Sequence, residues 1–115
     1  MMRISSIALT LLASATAASA DVSLSIPLAA DATSSVTSEI YSCDGAEPFV
    51  VQYINSGPNT LAIVPIKGEM RIFVNVVSAS GAKYASGEYV WWTKGKTAML
   101  ENEMDKDSHQ NCVSE

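Results

Sequence analysis

Ser80-Gly81-Ala82-Lys83 sets a lysine three residues after a serine, the spacing in which an amine activates a hydroxyl as a nucleophile. That chemistry belongs at the start of a helix and draws further catalytic residues from a much longer chain, whereas here a glycine follows the serine among β-prone runs. The match is therefore read as accidental. His109 is the single histidine, and nothing in the sequence pairs it with a nucleophile. Asp44, Asp105 and Asp107 lack the spaced acidic positions and closing glutamate of a calcium loop, and read as solvated charges. Cys43 and Cys112 are the only cysteines. A zinc site shared with His109 is the rival reading but lacks the usual close ligand spacing, and an even pair in an oxidising compartment is expected to be bridged. Such a bridge closes most of the domain into one loop, a constraint worth on the order of 4 kcal/mol in the chain-entropy model. With no catalytic centre, metal site or cofactor expected, recognition of a partner is the function to look for.

A recognition surface has to be held by regular elements. From Ser38 onward, short β-prone runs alternate with turn signals, the pattern of a compact antiparallel barrel or sandwich. Residues 39–43 read as a strand ended by Asp44-Gly45, and residues 49–54 as another, followed by the turn Asn55-Ser56-Gly57-Pro58-Asn59. Residues 61–66 come next, then the tight turn Lys67-Gly68. Residues 70–77 form the strongest run, apolar on both faces except for Arg71 and Asn75, as expected of a strand enclosed in a barrel. Short strands flank the breaks at Ser80-Gly81 and Gly87. Residues 88–93 carry Trp91 and Trp92, whose adjacency on a strand sends one to the core and the other towards the surface. After Lys94-Gly95, residues 97–100 make one more strand, and the charged stretch 101–107 reads as a solvated turn or frayed helix before Cys112. There is no internal repeat and no amphipathic helix.

The first 20 residues read as a secretory signal: Arg3, an apolar run over 4–12, and small residues ending in Ala18-Ser19-Ala20, with cleavage expected before Asp21. The apolar run is shorter than the roughly 20 residues a bilayer crossing requires. No cysteine lies near the cleavage point to carry a lipid, so a soluble protein without a lipid anchor is expected. Residues 21–115 suffice for one domain and not for two. Within them, 21–37 are rich in Ala, Ser and Thr and read as a flexible N-terminal leader, and 38–115 as the folded domain. The apolar patch at 22–28 has the makings of an edge strand, and it offers a route to a homodimer. Seven basic against twelve acidic residues give a net charge of −5, and −6 once Arg3 leaves with the signal. That balance argues against nucleic acid, whose phosphates require Lys and Arg, and suits a basic protein partner.

Residues 78–95 read SASGAKYASGEYVWWTKG. They contain an S-G-x-x-Y pattern at Ser80, Gly81 and Tyr84 and a Y-x-x-x-T-K-G pattern at Tyr89, Thr93, Lys94 and Gly95. The two at this separation resemble the bacterial inhibitors of C-type lysozyme, the MliC and PliC family. A Tyr-x-Cys at Tyr41 to Cys43, the Ala-Met-Leu run after the second motif and the C-terminal cysteine extend the resemblance over about residues 39–112. The absence of an anchoring cysteine is similar to the soluble periplasmic branch of that family.

The resemblance implies an all-β fold, an antiparallel barrel of about eight strands with one disulfide. It implies that both motifs form a protrusion entering the cleft of a C-type lysozyme, a basic enzyme. Ser80 would hydrogen-bond one catalytic carboxyl group and Lys94 would set its ammonium against the pair. Gly81 permits a sharp turn and close approach, Tyr84 and Tyr89 brace the loops or pack against the cleft wall, Thr93 adds a hydrogen bond, Gly95 serves the turn, and Lys83 completes the contact set. Two other classes would suit an exported barrel: a carrier of a small hydrophobic or glycan ligand, and a structural module of the envelope.

Overall fold

The structure, a computed structural model, describes residues 2–3, 7–14, 22–27 and 34–115. The expected cleavage point before Asp21 lies outside the described residues. Turn chemistry and β-prone runs resolve into eight strands in chain order: β1 (Ser35–Cys43), β2 (Phe49–Ser56), β3 (Asn59–Ile66), β4 (Glu69–Val76), β5 (Ala82–Ser86), β6 (Tyr89–Lys94), β7 (Thr97–Asn102) and β8 (Asp105–Ser114). Each pairs antiparallel with the next, and β8 returns to β1, closing a barrel rather than a sandwich.

Alternation along each strand decides what fills the interior. Trp91, Phe73, Val51 and Val64 are fully buried, with Tyr41, Ala62, Tyr84 and Ala98 around them. Trp91 makes an edge contact with Tyr41 at 4.9 Å between ring centroids and another with Phe49 at 6.0 Å. Its indole N–H donates to the Tyr53 hydroxyl at 2.9 Å, and that hydroxyl shares a 2.6 Å bond with the hydroxyl of Tyr41. The one polar group of the buried indole is thus satisfied inside the barrel.

Two pairings are short. β1 is in register with β8 at Tyr41–Ser114, Ser42–Val113 and Cys43–Cys112, extended by the Glu115 N–H donating to the Ile40 carbonyl, and β4 is in register with β5 from Val74 to Val76. The first seam is stapled by the Cys43–Cys112 disulfide, which removes the zinc reading. Along the second, Arg71 lays its guanidinium 4.9 Å from the centroid of the Tyr89 ring and pairs with Glu88 at 3.3 Å. The Glu88 carboxyl is held below the usual carboxylate range by its own backbone N–H and by Arg71.

Four expectations change. The first strand begins at Ser35, so it takes in the end of the presumed leader. Residues 22–27 join no strand. In β4 only Phe73 is buried, and Met70, Ile72, Val74 and Val76 stand exposed, because a barrel strand has a single inward face. The stretch 101–107 is the β7–β8 hairpin: the Asn102 side chain accepts from the Met104 N–H in the turn, and the charged residues that follow belong to β8. Their side chains face water while the backbone ladder to β7 holds the strand.

Replacing both cysteines by serine is expected to lower the unfolding free energy by about 2–5 kcal/mol, read from urea midpoints. An unchanged midpoint would mean that the β1–β8 hydrogen bonds alone close the seam.

Candidate functional site

The β4–β5 loop and the β6–β7 turn lie at one end of the barrel, where the register Ala82–Thr93 and Lys83–Trp92 sets them side by side. Gly81 adopts φ +66°, and a Cβ there would overlap the Thr93 carbonyl oxygen and come within 2.8 Å of Lys94 Cγ. Only glycine permits this approach, and it makes the two segments one tip. Hydrogen bonds fix the rest. Ser78 Oγ donates to the Gly81 carbonyl at 3.1 Å, Trp92 Nε1 to the Ser80 carbonyl at 2.9 Å, and Thr97 Oγ1 to the Lys94 carbonyl at 2.9 Å. Thr93 Oγ1 reaches the Ala82 carbonyl at 3.4 Å.

Trp92 is the hub of the tip. It points outward and half-buried, with the ammonium of Lys94 4.5 Å and that of Lys83 5.0 Å from its ring centroid. Cation–π contacts at such exposed sites are worth about 0.5–1 kcal/mol each, enough to bias both lysines towards the ring and away from free rotation. The ammonium of Lys83 is therefore engaged with an aromatic face rather than poised as a base for a serine.

The structure gathers Ser80, Gly81, Lys83, Thr93, Lys94 and Gly95 at this tip. It does not bring the two motif tyrosines to the surface. Tyr84 is 5% exposed, its ring 5.7 Å from that of Tyr53, and it supports the tip from the core. Tyr89 pairs with Ser86 beside the β5–β6 turn, five residues and roughly 17 Å of strand from Lys94, at the opposite end of the barrel. Its partner is Arg71. Sequence reasoning missed Trp92 as the organiser and Ser78 as the brace of Gly81. The signal was available: a hairpin at Gly87 with period-2 alternation places Lys83 across from Trp92 on the outer face.

Antiparallel connectivity also sorts the charge. The hairpins at the far end carry Asp44, Glu47, Glu69, Glu88, Glu103 and Asp105 against Lys67, Arg71 and Lys106, a net acidic set, whereas the tip end carries Lys83, Lys94 and Lys96 with Glu39 and Glu115 at its margin. Behind the tip the barrel mouth opens as a cavity of about 430 Å³ lined by Tyr41, Tyr53, Tyr84, Glu39, Thr93 and Lys96 among others. Burial raises the hydroxyl pKa of Tyr53 strongly, and to a lesser degree those of Tyr41 and Tyr84. Among the described residues no group of three or more His, Cys, Asp or Glu is placed to hold a metal ion.

The sequence profile of a family described as "Membrane-bound lysozyme-inhibitor of c-type lysozyme" matches residues 41–109. The chain belongs to this family. A membrane-bound lysozyme inhibitor of C-type lysozyme from Pseudomonas aeruginosa is 49% identical over 76 residues, 65% of this chain and 60% of that protein. The protein of the same description from Cupriavidus necator is 44% identical over 68 residues, 59% of this chain and 54% of its own. The chain thus spans less than two thirds of the length of either relative. Among solved structures, Pseudomonas aeruginosa MliC in complex with hen egg white lysozyme superposes with a TM-score of 0.70 at 41% identity, covering 84% of this chain and 99% of that one. PliC from Salmonella typhimurium, a periplasmic lysozyme inhibitor of C-type lysozyme, gives 0.59 at 29% identity, covering 70% and 98%. These relatives are inhibitor proteins and not enzymes, in agreement with setting aside the Ser80 and Lys83 nucleophile pair.

Two outcomes follow for the tip and the tyrosines beneath it. Gly81→Ala has no room at the Thr93 carbonyl and sits at a positive φ, so it should part the two segments and destabilise the fold by about 1–3 kcal/mol, seen as a lowered Tm and a changed Trp92 indole resonance. The tyrosines have folded-state pKa values above their unfolded value of about 10. Their contribution to stability is complete below that pH and falls as pH rises towards the folded values, because only the unfolded chain releases those protons there. Alkaline titration should show tyrosinate absorbance appearing together with unfolding.

Proposed function

We propose that this chain inhibits C-type lysozyme by seating its tip in the active-site cleft, where Ser80 and Lys94 meet the two catalytic carboxyl groups. A retaining lysozyme holds one carboxylic acid protonated for proton donation and keeps the other ionised. The serine hydroxyl both donates and accepts, which suits an acid that carries a proton, while the lysine ammonium offers charge-assisted bonds to the ionised partner. A tip that fills this space leaves none for the sugar.

The observation that carries the reading is the contact of Gly81 with the Thr93 carbonyl and the Lys94 side chain, which joins the two motifs before any partner arrives. Binding then loses little conformational freedom at the contact. The three lysines of the tip end complement an anionic cleft. The net charge of −6 expected once Arg3 leaves with the signal attracts a basic enzyme at longer range. Work in the periplasm, after removal of residues 1–20, completes the proposal. It agrees with the periplasmic relative from Salmonella typhimurium.

The test is a bacterial-wall lysis assay with a C-type lysozyme, using the mature protein and its Ser80→Ala and Lys94→Ala variants. Lys94→Ala is expected to weaken binding by about 2–5 kcal/mol, mainly through faster dissociation, as for truncation of one partner of a buried charge pair. Ser80→Ala should weaken it as well, and added salt should slow association. Inhibition that survives both substitutions in folded variants would remove these residues from the mechanism, and absence of inhibition by the wild type would remove the function.

A further inference from the structure

The outer face of β3 and β4 is apolar along several rows, and one of these rows continues across β2 and β1, while Gln52 and Ser38 interrupt the next. The register aligns Val36, Ile54, Leu61 and Val74 in one row across four strands, with Ile63 beside Ile72 and Pro65 beside Met70 in the next rows. Met70, Ile72 and Val74 are all exposed. A contiguous apolar surface of this kind is rare on a monomer and marks a contact. It lies on different strands from Trp92 and Lys94, which the proposed inhibition uses.

We infer that the covering partner is the chain's own segment 22–26, which straps the β3–β4 outer face through Val22, Leu24 and Ile26. The anchor is already in place. Ile26 lines a cavity of about 220 Å³ together with Pro58, Leu61 and Val74. In the structure only Ile26 touches this face, at 54% exposure, while Leu24 at 74% and Val22 at 99% stand off it, so the proposed strap closes outward from this contact.

The segment reads Val22-Ser23-Leu24-Ser25-Ile26, a strict period-2 alternation. In extended form one side is wholly apolar and the other carries two serines, the pattern of a strand that packs on one face and meets water on the other. Successive apolar side chains stand about 6.6 Å apart, the same spacing as Met70, Ile72 and Val74 along β4. With Ile26 on Leu61 and Val74, Leu24 falls on Ile63 and Ile72, and Val22 on Pro65 and Met70. The contact is made by side chains over the face, so no pairing with a sheet edge is required.

The connection is long enough. Ser35 pairs with Asn55, which pairs with Thr60, so β1 starts about two strand spacings, roughly 10 Å, from the anchor. Eight residues, hence nine Cα–Cα steps, lie between Ile26 and Ser35, a reach of up to about 30 Å. The contact of Ile26 also favours the strap over a second copy: a dimer through this face would have to displace Ile26 from beside Leu61 and Val74.

The experiment uses the full mature protein, methyl-labelled, in nuclear Overhauser spectroscopy, alongside the variant Leu24→Asp with Ile26→Asp. Expected are cross-peaks from the Leu24 methyls to those of Ile63 and Ile72, within one molecule by isotope filtering. The double variant should keep the barrel spectrum and bind several-fold more of a hydrophobic dye such as bis-ANS. Absence of those cross-peaks overturns the proposal, as does unchanged dye binding in the double variant. Filtered cross-peaks between molecules, with a dimer mass in light scattering, overturn it in favour of a second copy. Flotation of the wild type with phospholipid vesicles without the intramolecular cross-peaks overturns it in favour of a lipid surface.

Discussion

Alternation at Trp91 and Trp92 governs both the interior and the tip. Trp91 turns inward, touches Tyr41 and Phe49, and hands its N–H to Tyr53. One residue later the same strand must point outward, and Trp92 there receives two lysines and holds the Ser80 carbonyl. The aromatic side chain that organises the core thus fixes the rotation of β6 that organises the recognition end. A slip of one residue would exchange the two indoles and dismantle both.

Closure imposes a second constraint. A barrel of short strands removes open edges only if every seam is held, and two of these seams are brief. The disulfide secures one of them covalently, while the other relies on Arg71 bridging from β4 to Glu88 and Tyr89. Tyr89 is part of this closure, which accounts for its place in a motif whose other members sit at the far end of the strand.

Much of the fold was legible because turn residues punctuate the chain: Asn55 to Asn59, Lys67-Gly68, Gly87 and Gly95 each end one strand and begin the next. The charged run 101–107 was legible only as far as its solvated turn at Glu103-Met104, since composition reports side-chain hydration and the β7–β8 ladder on either side is made by backbone groups. The exposed apolar row of β4 was misread for the converse reason, that hydrophobicity alone does not say which face is covered. At the site, the paired motifs located Ser80, Gly81 and Lys94 correctly at one end. Tyr84 braces the tip from the core and Tyr89 lies at the opposite end, so neither packs outward as a contact, because a motif records which residues recur together and not which way each one points.

The placement of the two indoles gives the molecule an optical property. Trp91 is sealed from solvent and Trp92 stands half-covered under two ammonium groups. Anything that closes over the tip changes the surroundings of the second and leaves the first as they were. The protein therefore carries, without any label, an emitting probe at its recognition end and an internal reference for it a single residue away.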